Sequence, residues 1–589
     1  MKHSSTSALP VLAVLALALL PVSGCGADTG ASARPRGEGN APPNSEDPPP
    51  VVVNQRASIE LALQQDPLAQ RVVSVLETHC ARCHGGEEAQ GGLGDVTDLL
   101  RQIERGTIVA GAAAQSRLLS SMLDGSMPLP DPRRPGWPGP TPGELALVAQ
   151  FIDQLPTAPA AECSATAFQS TDAVYAALLA DVLRVPASER RFQRYAGLTY
   201  ASNAGECGTA LERQRSALFK LLNSVSAAPE VHVPEAVDPS RLLYRIDLRD
   251  YGWNRGIDPE DDGTPDFVDG WLAVVASAGP YALELQGADA EELQRESGSS
   301  TPFLPAHALI HAAAGEAYYA LIDMPAAQDK ALEKLGVNPY DAETPGVLHA
   351  GFLLDGGDLL VQRMEQQRNP GRFYWMISTL HNVSESIFSE PFDYGGAEEA
   401  LFQLPNGMLA FHRDEATANF GPGGAPDSLW HADAANLASC HACHQSGILP
   451  VSDQVRQFVE QNRIEFDRET FELVAQRYPL PAELDALIEA DSALYRSASE
   501  RAGVVSSGPE PLSYTYRQFE LEALSLPRVA AELGVTAEEL RNYLPQLDPR
   551  LQGLAEADGT IERSLLGEVY LDSLCVVLAV AENQPVSCP

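Results

Sequence analysis

The chain has 589 residues, of which 44% are apolar, so it is long enough for several domains with buried cores. Its formal net charge is −40 at pH 7, which excludes nucleic acid as a partner because phosphate binding needs a basic surface. The same charge repels anionic membrane surfaces and favours a partner protein with a basic surface.

The segment 1–25 is predicted to be an export signal. Met1-Lys2-His3 is a short basic start, and the apolar stretch 8–22 that follows is too short for an ordinary membrane span. The stretch ends in Val22-Ser23-Gly24-Cys25, which resembles a bacterial lipobox with Cys25 as the lipidated first residue of the mature chain. We expect an exported lipoprotein of the cell envelope, attached by lipid to the outer membrane or to a periplasm-facing membrane surface.

The segment 26–55 is predicted to be a disordered linker. It is rich in Gly, Pro, Ala, Ser and Asn, a composition that cannot bury a core. Pro48-Pro49-Pro50 adds a stiff piece near its end. Such a linker would hold the folded body away from the membrane.

The segment 56–157 is predicted to form one domain around the motif Cys80-Ala81-Arg82-Cys83-His84. Cys-x-x-Cys-His is the attachment motif of c-type haem. On a helix, cysteines at positions i and i+3 and a histidine at i+4 lie on one face. The sulfurs of Cys80 and Cys83 can therefore bond the porphyrin edge while His84 ligates the iron. A single Cys-x-x-Cys could also be redox-active or bind zinc, but a second complete copy in an exported chain favours haem.

Helical patterns flank this first motif. Asp66-Pro67 predicts the start of a helix that leads into the motif, and Thr141-Pro142-Gly143-Glu144 predicts a capping box that starts a closing helix. Met127, in Gly125-Ser126-Met127-Pro128, is the predicted sixth ligand of the iron, and a thioether ligand raises the haem potential. Met122 is the alternative ligand, but its apolar helical surroundings predict a core position.

The segment 158–425 is predicted to be a middle α+β domain. Helices are expected at 172–183 and 210–222, and the alternation of apolar and polar residues at 242–248 predicts a half-buried strand. Pro405-Asn406-Gly407 between two apolar runs predicts a β-hairpin. We therefore expect a mostly helical region with a small antiparallel sheet beside the second motif.

One stretch of this middle segment resembles a calcium loop. Asp258–Asp269 carries oxygen-bearing side chains and a central glycine at most of the positions that an EF-hand loop uses. It departs from that pattern at its last ligand, where Asp269 replaces the longer bidentate Glu, and two prolines interrupt it. The alternative interpretation is an acidic surface turn, so calcium stays a possible second cofactor.

The segment 426–589 carries the second motif, Cys440-His441-Ala442-Cys443-His444. By the same argument, Cys440 and Cys443 are predicted to bond a second haem, and His444 to ligate its iron. His441 occupies a variable position of the motif and is expected to be exposed. Helices are predicted downstream, at 455–463, 468–475 and 527–543.

The sixth ligand of this second haem is left open by the sequence. The sixth coordination position of this iron could also be vacant. The candidates either lie on the predicted hairpin or precede the motif, and they are Met408, His412, His381 and His431.

The remaining cysteines predict disulfides. Of the nine cysteines, one goes to lipid and four to haem, which leaves Cys163, Cys207, Cys575 and Cys588. An even remainder in an oxidising compartment predicts two disulfides, and four cysteines allow three pairings. Proximity in the chain favours Cys163 with Cys207 and Cys575 with Cys588.

The first domain resembles the small class I cytochrome c domains of bacterial envelope proteins. The resemblance rests on the Cys-x-x-Cys-His-Gly start at Cys80, on Gly91-Gly92-Leu93 and on Met127-Pro128. It implies a helical fold with one covalent haem and Met127 as axial ligand.

The rest of the chain is similar to a recurring family of multi-domain bacterial cytochromes. The similar stretches are 244–251, 402–407, 439–444 and 453–456. The resemblance implies haem attachment but no particular activity. Members of that family carry Leu at the place of Met408 and no His at the place of His412, so a ligand role for either would be particular to this chain.

The predicted fold class is mainly α. It comprises a class I cytochrome c-like domain, a large mostly helical middle region with a small antiparallel sheet, and a second haem-bearing helical region. The leading hypothesis is a dihaem c-type cytochrome that transfers electrons in the bacterial cell envelope to a redox partner with a basic surface. The alternatives are a dihaem peroxidase or oxygenase that uses an open second haem, and a haem-containing sensor or binding module. The wide separation of the two motifs counts against known dihaem peroxidases.

Overall fold

The computed structural model covers the chain in separate stretches. Several predicted features lie outside them, including Cys25, the linker 26–55 and the four residues Cys163, Cys588, His381 and His431. The described residues are 67–85, 95–104, 107–109, 113, 116–123, 127, 139–155, 168–258, 262–284, 287–339, 346–354, 357–379, 386–392, 397–413, 437–504, 510–556 and 559–582.

The first unit is helical and has its own core. Its helices are α1 Pro67–His79, α2 Ala81–His84, α3 Leu99–Glu104, α4 Arg117–Leu123 and α5 Pro142–Gln154. The predicted capping box at the start of α5 is confirmed, with the Thr141 side chain accepting from the Glu144 N–H and Glu144 reaching back to Thr141. Helix α1 packs against α5, and α4 also contacts α5. Their buried face is built from residues between Ala69 and Leu155 alone.

Residues 168–339 place helices around a four-stranded sheet of order β2-β3-β1-β4. The strands are β1 Gln193–Gly197, β2 Glu235–Ala236, β3 Leu243–Asp247 and β4 Phe303–Pro305. The helices are α6 Thr171–Val182, α7 Thr199–Asn203, α8 Thr209–Ser224, α9 Gly270–Ser277, α10 Ala288–Ser297, α11 Ala306–Ala314, α12 Tyr318–Leu321 and α13 Gln328–Leu335. Strand β3 and helices α6 and α8 confirm the predictions for this region. The sheet is mixed, because β1 pairs antiparallel with β3 and parallel with β4.

A second sheet is antiparallel throughout and runs in chain order. Its strands are β5 Leu348–Leu354, β6 Gly357–Glu365, β7 Phe373–Thr379, β8 Ala397–Gln403 and β9 Leu409–Arg413. The predicted hairpin is confirmed, since β8 and β9 pair around a turn in which Gly407 adopts a φ of +94°. This region is therefore richer in strands than predicted, although the chain as a whole is mainly α.

Side chains from outside the sheet occupy both of its edges. On β9, the Phe411 N–H donates to the Tyr318 hydroxyl at 2.8 Å, and the Arg413 N–H donates to the Tyr319 hydroxyl at 3.1 Å. On β5, the Gly351 N–H donates to the Asp453 carboxylate at 2.9 Å. These three backbone N–H groups, at the edges of the sheet, thus already have hydrogen-bond partners.

The segment after residue 436 is helical, apart from the short pair β10 Leu524–Ser525 and β11 Thr560–Ile561. Its helices are α14 Leu437–Cys443, α15 Val455–Gln461, α16 Arg468–Arg477, α17 Pro481–Arg501, α18 Pro511–Leu521, α19 Leu526–Glu532, α20 Ala537–Tyr543 and α21 Arg563–Glu582. The prediction of one helix over 527–543 is wrong. Gly534 adopts a φ of +74° and Thr536 caps a new helix, so the chain turns between α19 and α20.

The largest core joins the middle segment to the C-terminal one. It includes Tyr244, Phe411, Leu437 and Tyr495, and so continues across the predicted boundary at residue 425. Helix α18 is central, since it packs against α8, α11, α14 and α21. Within the stretches that the structure covers, no helix combines the length and apolarity needed to cross a bilayer.

Candidate functional site

The first Cys-x-x-Cys-His motif continues directly from α1. The Cys80 N–H donates to the Leu76 carbonyl at 2.8 Å, and the His84 N–H donates to the Cys80 carbonyl at 3.0 Å. Cys80 and His84 therefore lie one helical turn apart, as the motif requires. Cys80 is half-buried against the first core. The side chain of Cys83 lies outside the described part of the chain.

The two methionines of this unit differ in their surroundings. Met122 is 5% exposed and belongs to the first core, as predicted. Met127 is half-buried, and its N–H donates to the Ser121 carbonyl at 2.8 Å. Helix α4 thus fixes the backbone of Met127. The role of Met127 as a ligand stays a prediction.

The second motif lies on α14, which packs against α18 and β9. The His444 N–H donates to the Cys440 carbonyl at 3.0 Å, the same helical hydrogen bond as in the first motif. The His444 Nδ1 lies 3.0 Å from the Gly447 carbonyl, which only a protonated Nδ1 can satisfy. Nε2 is then the ring nitrogen that keeps a lone pair for a metal.

Burial and backbone geometry prepare His444 for that role. Burial lowers the pKa of His444 to about 4, so the ring is neutral at pH 7, the form that ligates a metal. Gly447 adopts a φ of +121°, and a Cβ at this position would lie 2.5 Å from the side chain of Ser492. Only glycine can therefore bring its carbonyl to the His444 ring without moving α17.

The states of the cysteines separate the motif residues from the others. Cys440 and Cys443 carry free thiols, whereas Cys207 and Cys575 are in disulfides. Burial raises the pKa of the Cys440 thiol. Free thiols and a neutral imidazole on successive turns of α14 form a donor set that fits a covalently bound haem. The pairing of the other cysteines stays a prediction, since Cys163 and Cys588 are not described.

His441 is fully buried, so the prediction that it is exposed is wrong. Its Nδ1 lies 3.2 Å from the Tyr495 hydroxyl, and the Phe411 ring packs edge-on against it at 5.3 Å. Phe411 also contacts the His444 ring, at 5.4 Å between centroids. Helix α14 is covered by the sheet on one side and by α17 and α18 on the other. His441 is therefore enclosed, although the motif itself does not specify which residue stands at this position.

A buried ion pair lies behind His441, and the sequence analysis missed it. The Lys220 Nζ is 2.7 Å from the Glu510 Oε1, and both side chains are at most 4% exposed. The same Nζ lies 5.3 Å from the centroid of the Tyr495 ring. Burial lowers the pKa of Lys220, but Glu510 and Tyr495 outweigh burial and raise it above its ordinary value. The feature of the sequence that could have indicated this buried ion pair is a lysine on the apolar face of α8.

The structure describes two of the candidates for the sixth ligand of the predicted second haem, Met408 and His412, and both are buried on the β8–β9 hairpin. The Met408 sulfur accepts from the Ser499 hydroxyl at 3.9 Å. The His412 Nε2 lies 3.1 Å from the Pro325 carbonyl. Contacts of their own therefore hold both side chains. His381 and His431 lie outside the described residues, so the sixth ligand stays open.

The acidic loop Asp258–Asp269 uses its described carboxylates for its own folding. Asp258 accepts from the Gly263 N–H at 2.8 Å, and Asp262 accepts from the Thr264 N–H at 2.8 Å. Asp269 caps α9 through the Leu272 N–H and lies 3.5 Å from Arg194. In the described stretches, no three His, Cys, Asp or Glu side chains converge as a metal site would require. Calcium binding stays a prediction.

A second buried charged cluster surrounds Glu532, at the end of α19. The Glu532 side chain has no exposed surface, and it accepts from Arg563 at 2.9 Å and from the Tyr281 hydroxyl at 2.7 Å. The His307 Nε2 lies 4.0 Å from it. Burial raises the pKa of Glu532, but His307, Arg563 and Arg528 outweigh burial and hold it at about 2. The carboxylate is therefore charged at every ordinary pH.

The buried histidines predict that acid weakens the fold. Burial lowers the pKa of His307 to about 3 and that of His349 to about 3, from an ordinary 6.5. As the pH falls from 6.5 towards 3, these two histidines bind protons in the unfolded chain but stay neutral in the folded chain. Each histidine should then cost about 1.4 kcal/mol of stability per pH unit. Urea unfolding at several pH values within this window measures the slope.

The control for this prediction is a more exposed histidine. His307→Phe and His349→Phe should each flatten the dependence of stability on pH, whereas His311→Phe, at a side chain that is 38% exposed, should not. A slope that is the same in all four proteins would contradict the assignment to buried imidazoles.

Comparisons of the chain with protein-family models, curated proteins and solved structures found no match. The chemistry of the site therefore has to be argued from the residues of this chain. Those residues are two Cys-x-x-Cys-His motifs, both helical, at separate places in one chain.

Proposed function

We propose that this chain is a c-type cytochrome that binds two haems covalently and carries electrons in the bacterial cell envelope. One observation carries the proposal. The helical Cys-x-x-Cys-His arrangement occurs twice, and in the second copy the hydrogen bond from His444 to Gly447 leaves Nε2 for the iron. Zinc sites and redox-active dithiols do not need a histidine one turn after the first cysteine in each copy.

In this proposal each residue of the motifs has a defined role. Cys80 and Cys83 bond one porphyrin and Cys440 and Cys443 the other, whereas His84 and His444 ligate iron. Met127 is the proposed second axial ligand of the first haem. The haem iron supplies reversible one-electron chemistry. Around the second motif, Gly447 orients the His444 ring, and the packing of α14 against β9 and α18 limits the access of water, which favours the less charged state of the iron.

The location and partner follow from the sequence. A lipidated Cys25 would anchor the chain to a membrane, and the linker 26–55 would let the folded body move above it. The formal net charge of −40 supports a redox partner with a basic surface, whose encounter would slow as salt is added.

The second candidate function is a peroxidase or oxygenase reaction at the second haem. The observation that favours it is that Met408 is held by a contact with the Ser499 hydroxyl and His412 by a contact with the Pro325 carbonyl. If neither of them reaches the iron, and His381 and His431 do not reach it either, the sixth position there is open to peroxide, oxygen or carbon monoxide. This second candidate function requires that the sixth coordination position of the iron be reactive as well as open.

A redox titration of the mature protein, followed by absorbance, tests the proposal. We expect two reversible one-electron steps with the spectra of c-type haem, and the higher potential for the haem that Met127 ligates. Met127→Ala should lower one potential and leave the other unchanged, while Met122→Ala, in the core, serves as the control. A mature protein without covalent haem would refute the proposal.

Carbon monoxide and peroxide then separate the two functions. We expect the reduced protein to bind carbon monoxide at one haem only, the second. Binding followed by rapid turnover of peroxide would favour the enzyme, and slow or absent turnover would favour the electron carrier. If neither haem binds carbon monoxide, our expectation of weak or absent sixth ligation at the second haem is wrong, and electron transfer remains.

A further inference from the structure

The first unit touches the second motif through Arg117. The Arg117 Nη2 donates to the Cys443 Sγ at 3.1 Å. Arg117 begins α4, in the first unit, and Cys443 ends α14, so this contact joins parts of the chain that are far apart in sequence. Under the proposed function, the contacted sulfur is the atom that bonds the second porphyrin.

A second contact holds the same two regions together. The Arg517 Nη2, on α18, donates to the Ser120 Oγ at 3.2 Å, and Ser120 lies one turn after Arg117 on α4. Helix α18 in turn packs against α14. Helix α4 is thus held at two positions against the pair of helices that carries and covers the second motif.

Helix α4 also leads back to the first motif's proposed axial ligand. The Ser121 hydroxyl donates to the Arg117 carbonyl at 2.8 Å, and the Met127 N–H donates to the Ser121 carbonyl at 2.8 Å. A short path of covalent and hydrogen bonds therefore connects the Cys443 sulfur to Met127. One side of α4 is fixed to the first core by Leu118, Leu119 and Met122, so the path rests on a rigid element.

We propose that α4 is the docking element through which the two haems of this chain exchange electrons. The inference rests on the proposed function, and it names the first unit as the redox partner of the second haem. One electron moves from the ferrous iron of one haem to the ferric iron of the other, and no bond is made or broken. Because electron transfer weakens steeply with distance, a path anchored at both cofactors favours exchange within one chain over exchange between chains.

The charge of Arg117 has a separate effect on the second haem. A guanidinium at the point of attachment stabilises the state of that haem with the extra electron. Arg117 should therefore raise the potential of the second haem more than that of the first, whose proposed ligand Met127 follows the other end of α4. A residue that served only to stabilise the fold would not shift one potential selectively.

The experiment uses the complete mature protein and flash photoreduction with a flavin, which delivers at most one electron per chain. In the unaltered protein, we expect the electron to redistribute between haems in a first-order process whose rate is independent of protein concentration. Arg117→Glu should slow this process about tenfold or more by weakening the docked state. It should also lower the potential of the second haem. Arg517→Glu should slow the process without that shift of potential, and Arg101→Glu, at an exposed site on α3, is the matched control.

The outcomes separate this inference from the proposed function. Haem content by mass and far-ultraviolet circular dichroism establish that each variant is folded and loaded. Two covalent haems whose exchange is unchanged in both Arg117→Glu and Arg517→Glu would overturn the docking inference and leave the cytochrome assignment intact. Redistribution that depends on protein concentration would overturn it as well. Absence of haem from the unaltered protein would refute the proposed function itself.

Discussion

Replacing Cys440 and Cys443 together by alanine is expected to remove one of two covalently bound haems. Without either sulfur, the second porphyrin has no covalent attachment, and His444 alone cannot retain it through denaturation. The mass of the mature denatured chain should fall by one haem, and its absorbance per chain in the visible region should fall by about half. Cys80→Ala with Cys83→Ala should remove the other haem and leave the second in place.

The control for the haem count lies inside the same motif. Ala442→Ser alters a variable position between the two cysteines and should leave both haems attached. A double Cys440→Ala, Cys443→Ala chain that still carries two haems would mean that the second motif does not bind one. The titration should agree, since only one of its two steps should remain in this variant.

Neutralising Glu532 is expected to lower the free energy of unfolding by about 3–5 kcal/mol. Glu532→Gln keeps the size of the side chain and an acceptor for Tyr281, but it removes the charge that Arg563 and Arg528 face in a buried site. The penalty arises because the buried Arg563 guanidinium then loses its carboxylate partner, although Arg528 keeps Glu206 and Glu522. Urea unfolding at pH 7, followed by circular dichroism, measures the loss.

A surface ion pair provides the comparison for Glu532. Glu489 pairs with Arg496, and its side chain is 71% exposed. Glu489→Gln should therefore change stability by less than about 1 kcal/mol. Equal effects of the two substitutions would mean that the cluster around Glu532 contributes no more than a surface pair.

The sequence predicts well those local features of the fold in which a residue type serves a single physical role. Thr141 and Glu144 can form a capping box, and Asn406-Gly407 supplies the backbone freedom of a hairpin, so both appear where expected. The helical form of both Cys-x-x-Cys-His motifs follows in the same way from their spacing. These features depend on a few neighbouring residues only.

Features that depend on distant residues were not predicted. Strand β1 is buried along its whole length, so it lacks the alternation that marks a half-buried strand. The burial of His441 results from Tyr495 and Phe411, which approach α14 from other elements. The contact between Arg117 and Cys443 likewise joins surfaces whose meeting no local pattern records.

The candidate site likewise contains residues that could be predicted from the sequence and residues that could not. The cysteines and histidines of the motifs could be named from sequence because haem attachment needs those residues at that spacing. The partner that orients His444 could not, since Gly447 matters through its carbonyl and its left-handed backbone, not through a side chain. The ion pair of Lys220 with Glu510 was also missed, because a lone lysine within an apolar helix face gives no indication of its partner.

The hydrogen bonds at the two edges of the five-stranded sheet limit how this protein can associate. An open edge strand offers its backbone as a template on which a strand of another molecule can add. Here the hydroxyls of Tyr318 and Tyr319 already accept hydrogen bonds from backbone N–H groups of β9, and the Asp453 carboxylate accepts one from β5. Strand addition and edge-to-edge aggregation are thereby disfavoured at this sheet. A partner protein that approached either edge would instead have to recognise side chains.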